Sequence, residues 1–395
     1  MSGRPLTVML VAAEASGDDR GANLARALKG RLGDGVRLVG VGGARMRAEG
    51  VESPFDISEL SILGLLEGLM AWRRVVRRAD EAAALAERER PDIAVLIDSW
   101  GFTLRVAHRL RRRLPDMPLV KYVAPQVWAS RPGRARTTAE AFDLLLTIHV
   151  FDAPAFQREG LETVFVGDST LALDFSAADP ARMRERVGAG PDEPILLVAP
   201  GSRPSEIQRV LPAFEDAVRI LKAERPGLHV VVPAAPTVAA TVKAQVAGWP
   251  QGCHVVEGEA AKRDAMTAAT VALACSGTVT TELALAGCPV VVGYRLGPVT
   301  HAILKRLIRT KYVTLFNIAA QDFVAPELIQ DDCNGPALAR EATLRMDDAE
   351  LRRRQVERQS AALLKMGRGG PDPGEAAADA VLELVTSKGC HPGFA

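Results

Sequence analysis

The sequence predicts an α/β protein with two parallel sheets, each flanked by helices. Short apolar runs rich in β-branched residues alternate with longer amphipathic stretches along the whole chain, a pattern typical of parallel strands joined by helical crossovers. The chain has 395 residues, of which 48% are hydrophobic, so it is too long for one ordinary core and suits two domains. Two domains also predict a cleft between them.

The predicted strands fall into two sets, separated by a segment rich in structure breakers. Residues 176–192 are rich in Ala, Pro, Asp and Gly, which places the domain junction near residue 175. We therefore predict a first Rossmann-like domain over 1–175, a second over 176–370, and a final helix and tail over 371–395. The predicted strands are 7–13, 36–41, 93–98, 119–123, 144–150 and 164–166 in the first domain, and 195–199, 229–233, 254–257, 271–275 and 289–294 in the second.

Composition and residue spacing exclude several classes of partner and site. The formal charge of +1 gives no field strong enough to indicate a nucleic-acid partner. None of the five cysteines and six histidines has metal-ligand spacing, so we predict reduced thiols, no metal and no other cofactor. The N-terminus lacks a secretory leader, and no run approaches the roughly 18 apolar residues that span a bilayer. A cytoplasmic protein is therefore expected.

In the second half, one predicted strand runs into a glycine turn and then a helix. Gly201, Ser202 and Arg203 follow the strand 195–199. A glycine turn before a helix presents free backbone N–H groups to an anion, and an arginine adds a bidentate cation. This pattern predicts a diphosphate-binding site. The alternative is an ordinary strand-to-helix turn with Ser205 as the helix N-cap.

A second strand, 271–275, ends in a similar turn. Ser276, Gly277 and Thr278 offer hydroxyl and backbone N–H groups to a phosphate. Glu282, one helical turn later, can accept hydrogen bonds from two ribose hydroxyls. Together the two turns predict a site for the diphosphate and ribose of a nucleotide-linked donor. The alternative is that Glu282 simply caps the N-terminus of its helix.

Two further segments are predicted to reach the same edge of the second sheet. Tyr294 ends the run 289–294, and Asn317 ends the short run 315–317. Ligands of parallel α/β sheets bind beyond the carboxyl ends of the strands. Both residues are therefore candidates for contact with the donor.

Small and polar residues also follow the first two predicted strands. Glu14, Ser16 and Gly17 come after the first strand, and Gly-Val-Gly-Gly at 40–43 comes after the second. Neither turn matches the Gly-x-Gly-x-x-Gly fingerprint, which argues against an NAD site. The glycines suit close approach of a sugar or of the facing domain.

The third strand delivers a carboxylate to the edge of the first sheet. Asp98 follows the wholly apolar run 93–97, and shielding from water favours a general base there. The alternative is a cap for the helix that starts near Phe102. After the fourth strand, Gln126 and Trp128 belong to a turn that is a candidate acceptor pocket, although an aromatic residue at a strand end is more often part of the core.

An apolar segment followed by arginines indicates a membrane-facing surface. Residues 60–78 begin at Leu60, run through an almost wholly apolar stretch, and end with Trp72 and four arginines, the last of which is Arg78. Apolar surface beside arginines and a tryptophan is typical of a helix that lies on a membrane. The alternative is an amphipathic helix docked on the protein core.

Six motifs occur in an order that resembles one enzyme family. They are Glu-Ala-Ser-Gly-Asp at 14–18, Gly-Val-Gly-Gly at 40–43, Pro-Gln-Val-Trp at 125–128, Pro-Gly-Ser-Arg at 200–203, Ser-Gly-Thr at 276–278 and Val-Ala-Pro-Glu-Leu-Ile-Gln at 324–330. The chain resembles the lipid-A-disaccharide synthases over nearly its whole length. The resemblance implies an inverting GT-B glycosyltransferase that joins UDP-2,3-diacylglucosamine to 2,3-diacylglucosamine 1-phosphate through a β-1,6 linkage and releases UDP. It also implies a homodimer at the inner face of the bacterial inner membrane.

The resemblance assigns roles to individual residues. Asp98 matches the essential aspartate of the family, and its UDP-contacting positions match Ser202, Arg203, Thr278, Glu282 and Asn317. Most departures from the family lie on the acceptor side or at the hinge: Asp168 replaces a histidine, Gly101 replaces a second carboxylate, Ser130 replaces a tryptophan and Phe316 replaces a proline. Asp168 is therefore the second candidate for the base.

Two other functions remain compatible with these residues. One is a related transferase or epimerase that acts on UDP-N-acetylglucosamine, but the apolar, arginine-flanked segment 60–78 favours a lipid acceptor. The other is a non-catalytic nucleotide-sugar sensor, because the residues after Asp98 and at Asp168 depart from the family pattern and a fold alone does not fix a function.

Overall fold

The chain folds into two compact units. The computed structural model describes residues 4–60, 68–127, 133–297 and 311–390. Unit 1 consists of Met1–Ser169 with Gly370–Ala395, and unit 2 consists of Thr170–Gly369. The division falls shortly before the predicted junction at residue 175, and the final helix of the chain belongs to unit 1.

Unit 1 contains a six-stranded sheet in the order β2-β1-β3-β4-β5-β6. Neighbouring strands are parallel throughout. The strands are β1 (Leu6–Val11), β2 (Val36–Val41), β3 (Ile93–Ile97), β4 (Leu119–Tyr122), β5 (Leu144–Thr147) and β6 (Glu162–Phe165). The described helices are α1 (Ala15–Leu32), α2 (Ala44–Ala48), α3 (Gly68–Glu89), α4 (Trp100–Arg113), α5 (Arg134–Ala141), α6 (Ala153–Gln157) and, from the end of the chain, α15 (Pro373–Ser387).

Apolar side chains cover both faces of this sheet. In β1, Met9 and Val11 pack on one face while Val8 and Leu10 pack on the other, as the alternation of side chains along a strand requires. Helices α1 and α15 pack against each other and cover the second face. The last helix of the chain therefore completes the core of the N-terminal unit.

Unit 2 contains a second six-stranded parallel sheet, in the order β12-β11-β10-β7-β8-β9. The strands are β7 (Ile195–Ala199), β8 (His229–Pro233), β9 (Cys253–Val256), β10 (Val271–Ala274), β11 (Val290–Tyr294) and β12 (Glu327–Ile329). The described helices are α7 (Pro180–Val187), α8 (Pro204–Glu224), α9 (Ala239–Val246), α10 (Glu259–Ala268), α11 (Thr278–Leu285), α12 (Leu315–Ala320), α13 (Gly335–Asp347) and α14 (Ala349–Lys365).

The predicted pair of parallel α/β units is confirmed, with one additional strand in the second sheet. Strand β12 was not predicted, because it has only three residues and all of them are half-buried. The short run 315–317, for which no secondary structure was predicted, begins the helix α12. A short apolar run does not by itself distinguish a strand from a helical turn.

Candidate active site

Backbone strain is concentrated after β3 and β4. Asp98, Ser99 and Val123 have φ angles of +52°, +34° and +74°. Residues other than glycine adopt this left-handed region uncommonly, and each instance costs on the order of 1–3 kcal/mol unless its surroundings hold it. This edge of unit 1 is therefore a candidate for an active site.

The Asp98 carboxylate lies at this edge and is partly open to solvent. It accepts hydrogen bonds from Ser16 Oγ at 3.0 Å and from the Ser99 backbone N–H at 2.9 Å, and Arg20 Nη1 lies 3.5 Å away. Its side chain is 31% exposed. Ser99, not Asp98, is the N-cap residue of α4, so the interpretation of Asp98 as a simple helix cap is wrong.

The start of α1 supplies the partners of this carboxylate. Gly17 packs closely against β3, because a Cβ atom at Gly17 would lie 3.6 Å from the Asp98 Cβ. This approach brings Ser16 to its hydrogen bond with Asp98, whereas Glu14 is the exposed N-cap residue of α1. The Glu-Ala-Ser-Gly-Asp motif thus places a hydroxyl, not its glutamate, on the candidate base.

Arg20 connects the two candidate bases. Its guanidinium lies 3.5 Å from an Asp98 oxygen and 3.8 Å from an Asp168 oxygen. The Asp168 side chain is only 8% exposed, against 31% for Asp98. The more accessible carboxylate is the better placed to reach a substrate hydroxyl. Arg20 was not predicted, although its position one helical turn after Ser16 is a signal that could have identified it.

A buried histidine lies near Asp168. His149 follows β5, is 5% exposed and stacks on the ring of Phe151. Burial lowers the pKa of His149, while the nearby Asp168 charge acts in the opposite direction. The imidazole of His149 is therefore favoured in its neutral form at neutral pH. Arg20 is then the described cation within 4 Å of the carboxylates of Asp98 and Asp168.

The predicted acceptor turn is only partly described. Gln126 is exposed just beyond β4, and Val127 beside it packs into the core. Trp128 and Ser130 lie outside the described residues. The role of this turn stays a prediction.

Asp18, in the same motif, has a structural function. It is 5% exposed, and its carboxylate accepts hydrogen bonds from the backbone N–H groups of Gly43, Arg45 and Met46 at 2.7, 2.9 and 3.0 Å. These groups lie at the N-terminus of α2, where helix N–H groups have no partner within the helix. Through these hydrogen bonds Asp18, on α1, holds the glycine turn after β2 in place.

We expect Asp18→Ala to lower the free energy of unfolding by about 2–3 kcal/mol, because three N–H groups, of which that of Met46 is buried and those of Gly43 and Arg45 are part-buried, would lose a charged acceptor. Chemical denaturation of both proteins measures the difference. The control is Asp19→Ala, which removes a half-exposed partner of Arg45 and should cost at most about 1 kcal/mol. Equal losses in the two variants would contradict the assigned role.

In unit 2, the first donor turn leaves the sheet at the end of β7. Every residue of β7 is buried. Gly201 follows with a φ of +106°, a conformation that residues with a side chain rarely adopt. Arg203 is the N-cap residue of α8, so the interpretation of Ser205 as the N-cap is wrong. The Arg203 side chain is 76% exposed and lies 3.5 Å from Glu206. Its guanidinium is thus free to turn towards an anion.

The second donor turn lies directly beside the first. Strands β7 and β10 are neighbours, with Ala199 opposite Ala274, and Cys275 N donates to Ala199 O at 2.8 Å. Ser276 follows, and Gly277 is the N-cap residue of α11, which begins at Thr278. The structure therefore brings the two glycine turns together at the carboxyl edge of the sheet, as predicted from their positions.

Glu282 lies beyond the first turn of α11, so the interpretation of this residue as a helix cap is wrong. Its side chain is 14% exposed, and its carboxylate lies 2.5 Å from Lys262 Nζ on α10. Glu282 is the one charged residue of α11, and Lys262 provides the partner that a mostly buried carboxylate needs. Sequence reasoning missed Lys262, because its partner lies on a different helix.

Tyr294 and Asn317 differ in their availability. Tyr294 ends β11 beside β10 and is half-buried, and burial raises the pKa of its hydroxyl. Asn317 is completely buried: its Nδ2 donates to Ala325 O and Glu327 Oε1, both at 2.9 Å, and its Oδ1 accepts from the N–H groups of Val324 and Ala325. These four bonds use the full capacity of the amide. Asn317 therefore orders the loop in this structure, and its contact with the donor stays a prediction.

The segment predicted to face a membrane is described only in part. Residues 61–67 lie outside the described residues, and α3 begins at Gly68. Trp72 is 53% exposed, with the Arg105 guanidinium 4.1 Å above its ring, whereas Arg78 pairs with Glu59. Among the helices that the structure describes, none is both long and apolar enough to cross a membrane.

With this geometry established, comparison with known proteins identifies the family. The sequence pattern described as Lipid-A-disaccharide synthetase matches residues 8–373. The chain belongs to the lipid-A-disaccharide synthase family. The prediction made from the six motifs is confirmed, and the chain is a glycosyltransferase of lipid A biosynthesis.

Relatives within the lipid-A-disaccharide synthase family match along almost the whole chain. The synthase of Rhodospirillum centenum is 41% identical over 385 residues, which cover 98% of this chain and 96% of the relative. The synthase of Paramagnetospirillum magneticum is 42% identical over 382 residues, which cover 96% of this chain and 98% of the relative. The similarity therefore includes both units.

Solved structures confirm that this synthase family member has the GT-B fold. Staphylococcus aureus MnaA bound to UDP superposes with a TM-score of 0.62 at 15% identity, covering 97% of each chain. The calicheamicin glycosyltransferase CalG4 superposes with a TM-score of 0.58 at 16% identity, covering 97% of this chain and 99% of that one. At such low identity these similarities show the fold alone.

Proposed function

We propose that this protein transfers 2,3-diacylglucosamine from its UDP conjugate to the 6-hydroxyl of 2,3-diacylglucosamine 1-phosphate, forming a β-1,6-linked disaccharide and UDP. The observation that supports the proposal best is the family match over residues 8–373. Unit 1 supplies the accessible Asp98 carboxylate, and unit 2 supplies the paired glycine turns at the ends of β7 and β10.

In the proposed reaction, Asp98 acts as the general base. Its carboxylate takes the proton from the acceptor 6-hydroxyl, and the oxygen attacks the anomeric carbon of the donor from the face opposite UDP. The bond from that carbon to the diphosphate breaks, and its electron pair stays on the diphosphate oxygen. The configuration at the anomeric carbon therefore inverts. Ser16 and Arg20 hold the carboxylate in place.

The donor turns stabilise the leaving group. Backbone N–H groups near Gly201 and Gly277 and the guanidinium of Arg203 meet the charge that develops on the diphosphate, in the manner of an oxyanion hole. Glu282 binds the ribose hydroxyls, which requires its carboxylate to be shared with or released from Lys262. We propose that this reaction needs no metal ion.

A reconstituted assay tests the proposal. The purified protein is incubated with the diacylated UDP-glucosamine and the acceptor 1-phosphate in the presence of EDTA, and we expect equal amounts of disaccharide and UDP. Deacylated substrates should react poorly. A strict metal requirement would contradict the proposed mechanism. Turnover of UDP-N-acetylglucosamine without a lipid acceptor would indicate an epimerase or another transferase, and UDP binding without any turnover would indicate a sensor.

We further propose that the protein is a homodimer attached peripherally to the inner face of the inner membrane. The exposed Trp72 ring and the exposed Arg73 and Arg77 beside it on α3 support attachment to an anionic surface, since such a surface attracts arginines and accommodates tryptophan. Co-sedimentation with anionic phospholipid vesicles tests the attachment, and failure to sediment would contradict it. Light scattering of the purified protein tests the dimer, and a monomer mass would contradict it.

A further inference from the structure

A lysine is buried in the middle of the sheet of unit 1. Lys121 lies in β4 and is 1% exposed. Lys121 is two residues after Leu119, so both side chains point to the same face of the sheet. On that face Leu119 packs with residues of α3 and α4. Lysine is almost never fully buried without a partner, because an ammonium group loses its hydration there. The contacts of Lys121 should therefore show why a charge is placed in this strand.

The ammonium of Lys121 is directed at backbone carbonyls at the ends of β3 and β4. Its Nζ forms a short hydrogen bond with Asp98 O and lies 3.4 Å from Leu96 O and 3.5 Å from Tyr122 O. An ammonium group has three donors and no acceptor, so its capacity matches these three carbonyls. All three belong to the candidate active-site edge or to the strand residues just before it.

These contacts occur where the backbone is strained. Asp98 and Ser99 adopt the left-handed region, and Val123, which follows β4, does the same with a β-branched side chain. Such conformations persist only when the surrounding structure over-determines them. Lys121 binds Asp98 from the backbone side, whereas Ser16 and Arg20 contact its carboxylate. The two sets of contacts together fix the direction in which the carboxylate points.

We propose that Lys121 is a positioning residue, whose ammonium group holds the left-handed turn at Asp98 and thereby aims the Asp98 carboxylate at the acceptor hydroxyl. This inference rests on the proposed function, in which Asp98 is the base.

The electrostatic surroundings agree with this role. Burial lowers the pKa of Lys121 to about 7, while the charges of Asp98 and Glu14 act in the opposite direction. The lysine therefore remains charged over part of the neutral range at a considerable cost in desolvation. A protein with an apolar side chain of similar volume in place of a buried charge is often no less stable. A buried charge with this desolvation cost is therefore expected where it contributes to an active site and not to the stability of the fold.

Lys121→Met provides the test, since methionine has a similar length and no donors. Two of the three carbonyls keep another partner, because Thr103 Oγ1 also donates to Asp98 O and Asp98 N also donates to Tyr122 O. The variant should therefore fold. We expect kcat to fall roughly ten- to hundredfold, as for a misplaced catalytic group, while the KM for the donor, the Kd for UDP and the Tm stay close to those of the wild type.

Two further variants separate positioning from general damage. Lys121→Gln keeps two N–H donors on a shorter chain and should have a kcat between those of the wild type and Lys121→Met. Leu119→Met changes packing in the same strand and should leave kcat unchanged. If kcat follows the Tm across the series, or if Lys121→Met retains the wild-type kcat, the positioning role is wrong.

The failure of this inference is distinguishable from the failure of the proposed function. Wild-type turnover by Asp98→Asn would remove Asp98 from the base role, whatever Lys121 does. An inactive Asp98→Asn together with a fully active Lys121→Met would leave the proposed function intact and overturn the positioning role alone.

Discussion

Asp98→Asn is expected to lower kcat by about 10²–10⁴-fold, the usual contribution of a general base. Asparagine keeps the shape of the side chain and can still accept a hydrogen bond from Ser16, but it cannot take the proton of the acceptor hydroxyl. The Kd for UDP should stay close to that of the wild type, since Asp98 belongs to unit 1, its described side-chain partners Ser16 and Arg20 belong to the same unit, and the donor turns belong to unit 2. Steady-state turnover and calorimetric titration with UDP measure the two effects.

Two variants make this result specific to the position. Asp116→Asn changes an exposed carboxylate in the same unit and should retain the wild-type kcat. Asp168→Asn changes the second candidate base, which is more buried than Asp98. If Asp168→Asn were inactive while Asp98→Asn retained a substantial rate, Asp168 would be the base.

Arg203→Met is expected to reduce kcat/KM for the donor by about 10²–10³-fold, the effect of removing one preorganised donor from a developing oxyanion. The guanidinium is mostly exposed, and its nearest described carboxylate, Glu206, is 3.5 Å away, so it is available to the diphosphate. Its loss should cost at most about 1 kcal/mol of stability, because surface ion pairs contribute little. The two measurements are donor-dependent kinetics and thermal unfolding.

The matched control for Arg203 is Arg219→Met. Arg219 lies on the same helix, is half-exposed and pairs with Glu215, but it lies several turns away from the glycine loop. It should leave kcat/KM unchanged. Comparable losses in the two variants would show that the general charge of α8, and not a contact at the diphosphate, is responsible.

Sequence reasoning located the strands well, because parallel buried strands are continuous apolar runs. The bounds of β2, β7 and β8 agree residue for residue with the predicted runs. The order of strands places β7, β10 and β11 side by side, which brings the predicted donor turns to one edge. Asp98 was identifiable for the same reason, since it follows a wholly apolar strand.

Roles that depend on contacts between distant segments were not predictable. Asn317 matched a donor-contacting position, but its side-chain amide forms hydrogen bonds with the backbone of Val324 and Ala325, seven and eight residues later in the chain. Lys262 has its partner Glu282 on another helix, and no spacing rule within one helix indicates that pair. For Arg20 the spacing from Ser16 indicates a shared helix face, but not the two carboxylates that it contacts. Lys121 is a single charged residue in the apolar run 119–123, and its contact with the Asp98 carbonyl on the neighbouring strand is visible only in the structure.

The return of α15 to unit 1 has a consequence for synthesis on the ribosome. Residues of α15 complete the second face of the first sheet, yet they are translated after all of unit 2. Domains generally fold as units during synthesis, the N-terminal one first. Here the part of α1 that packs on α15 stays uncovered until α15 leaves the exit tunnel. Premature termination after Gly369 should therefore damage the unit that was made first and spare the one that was made last.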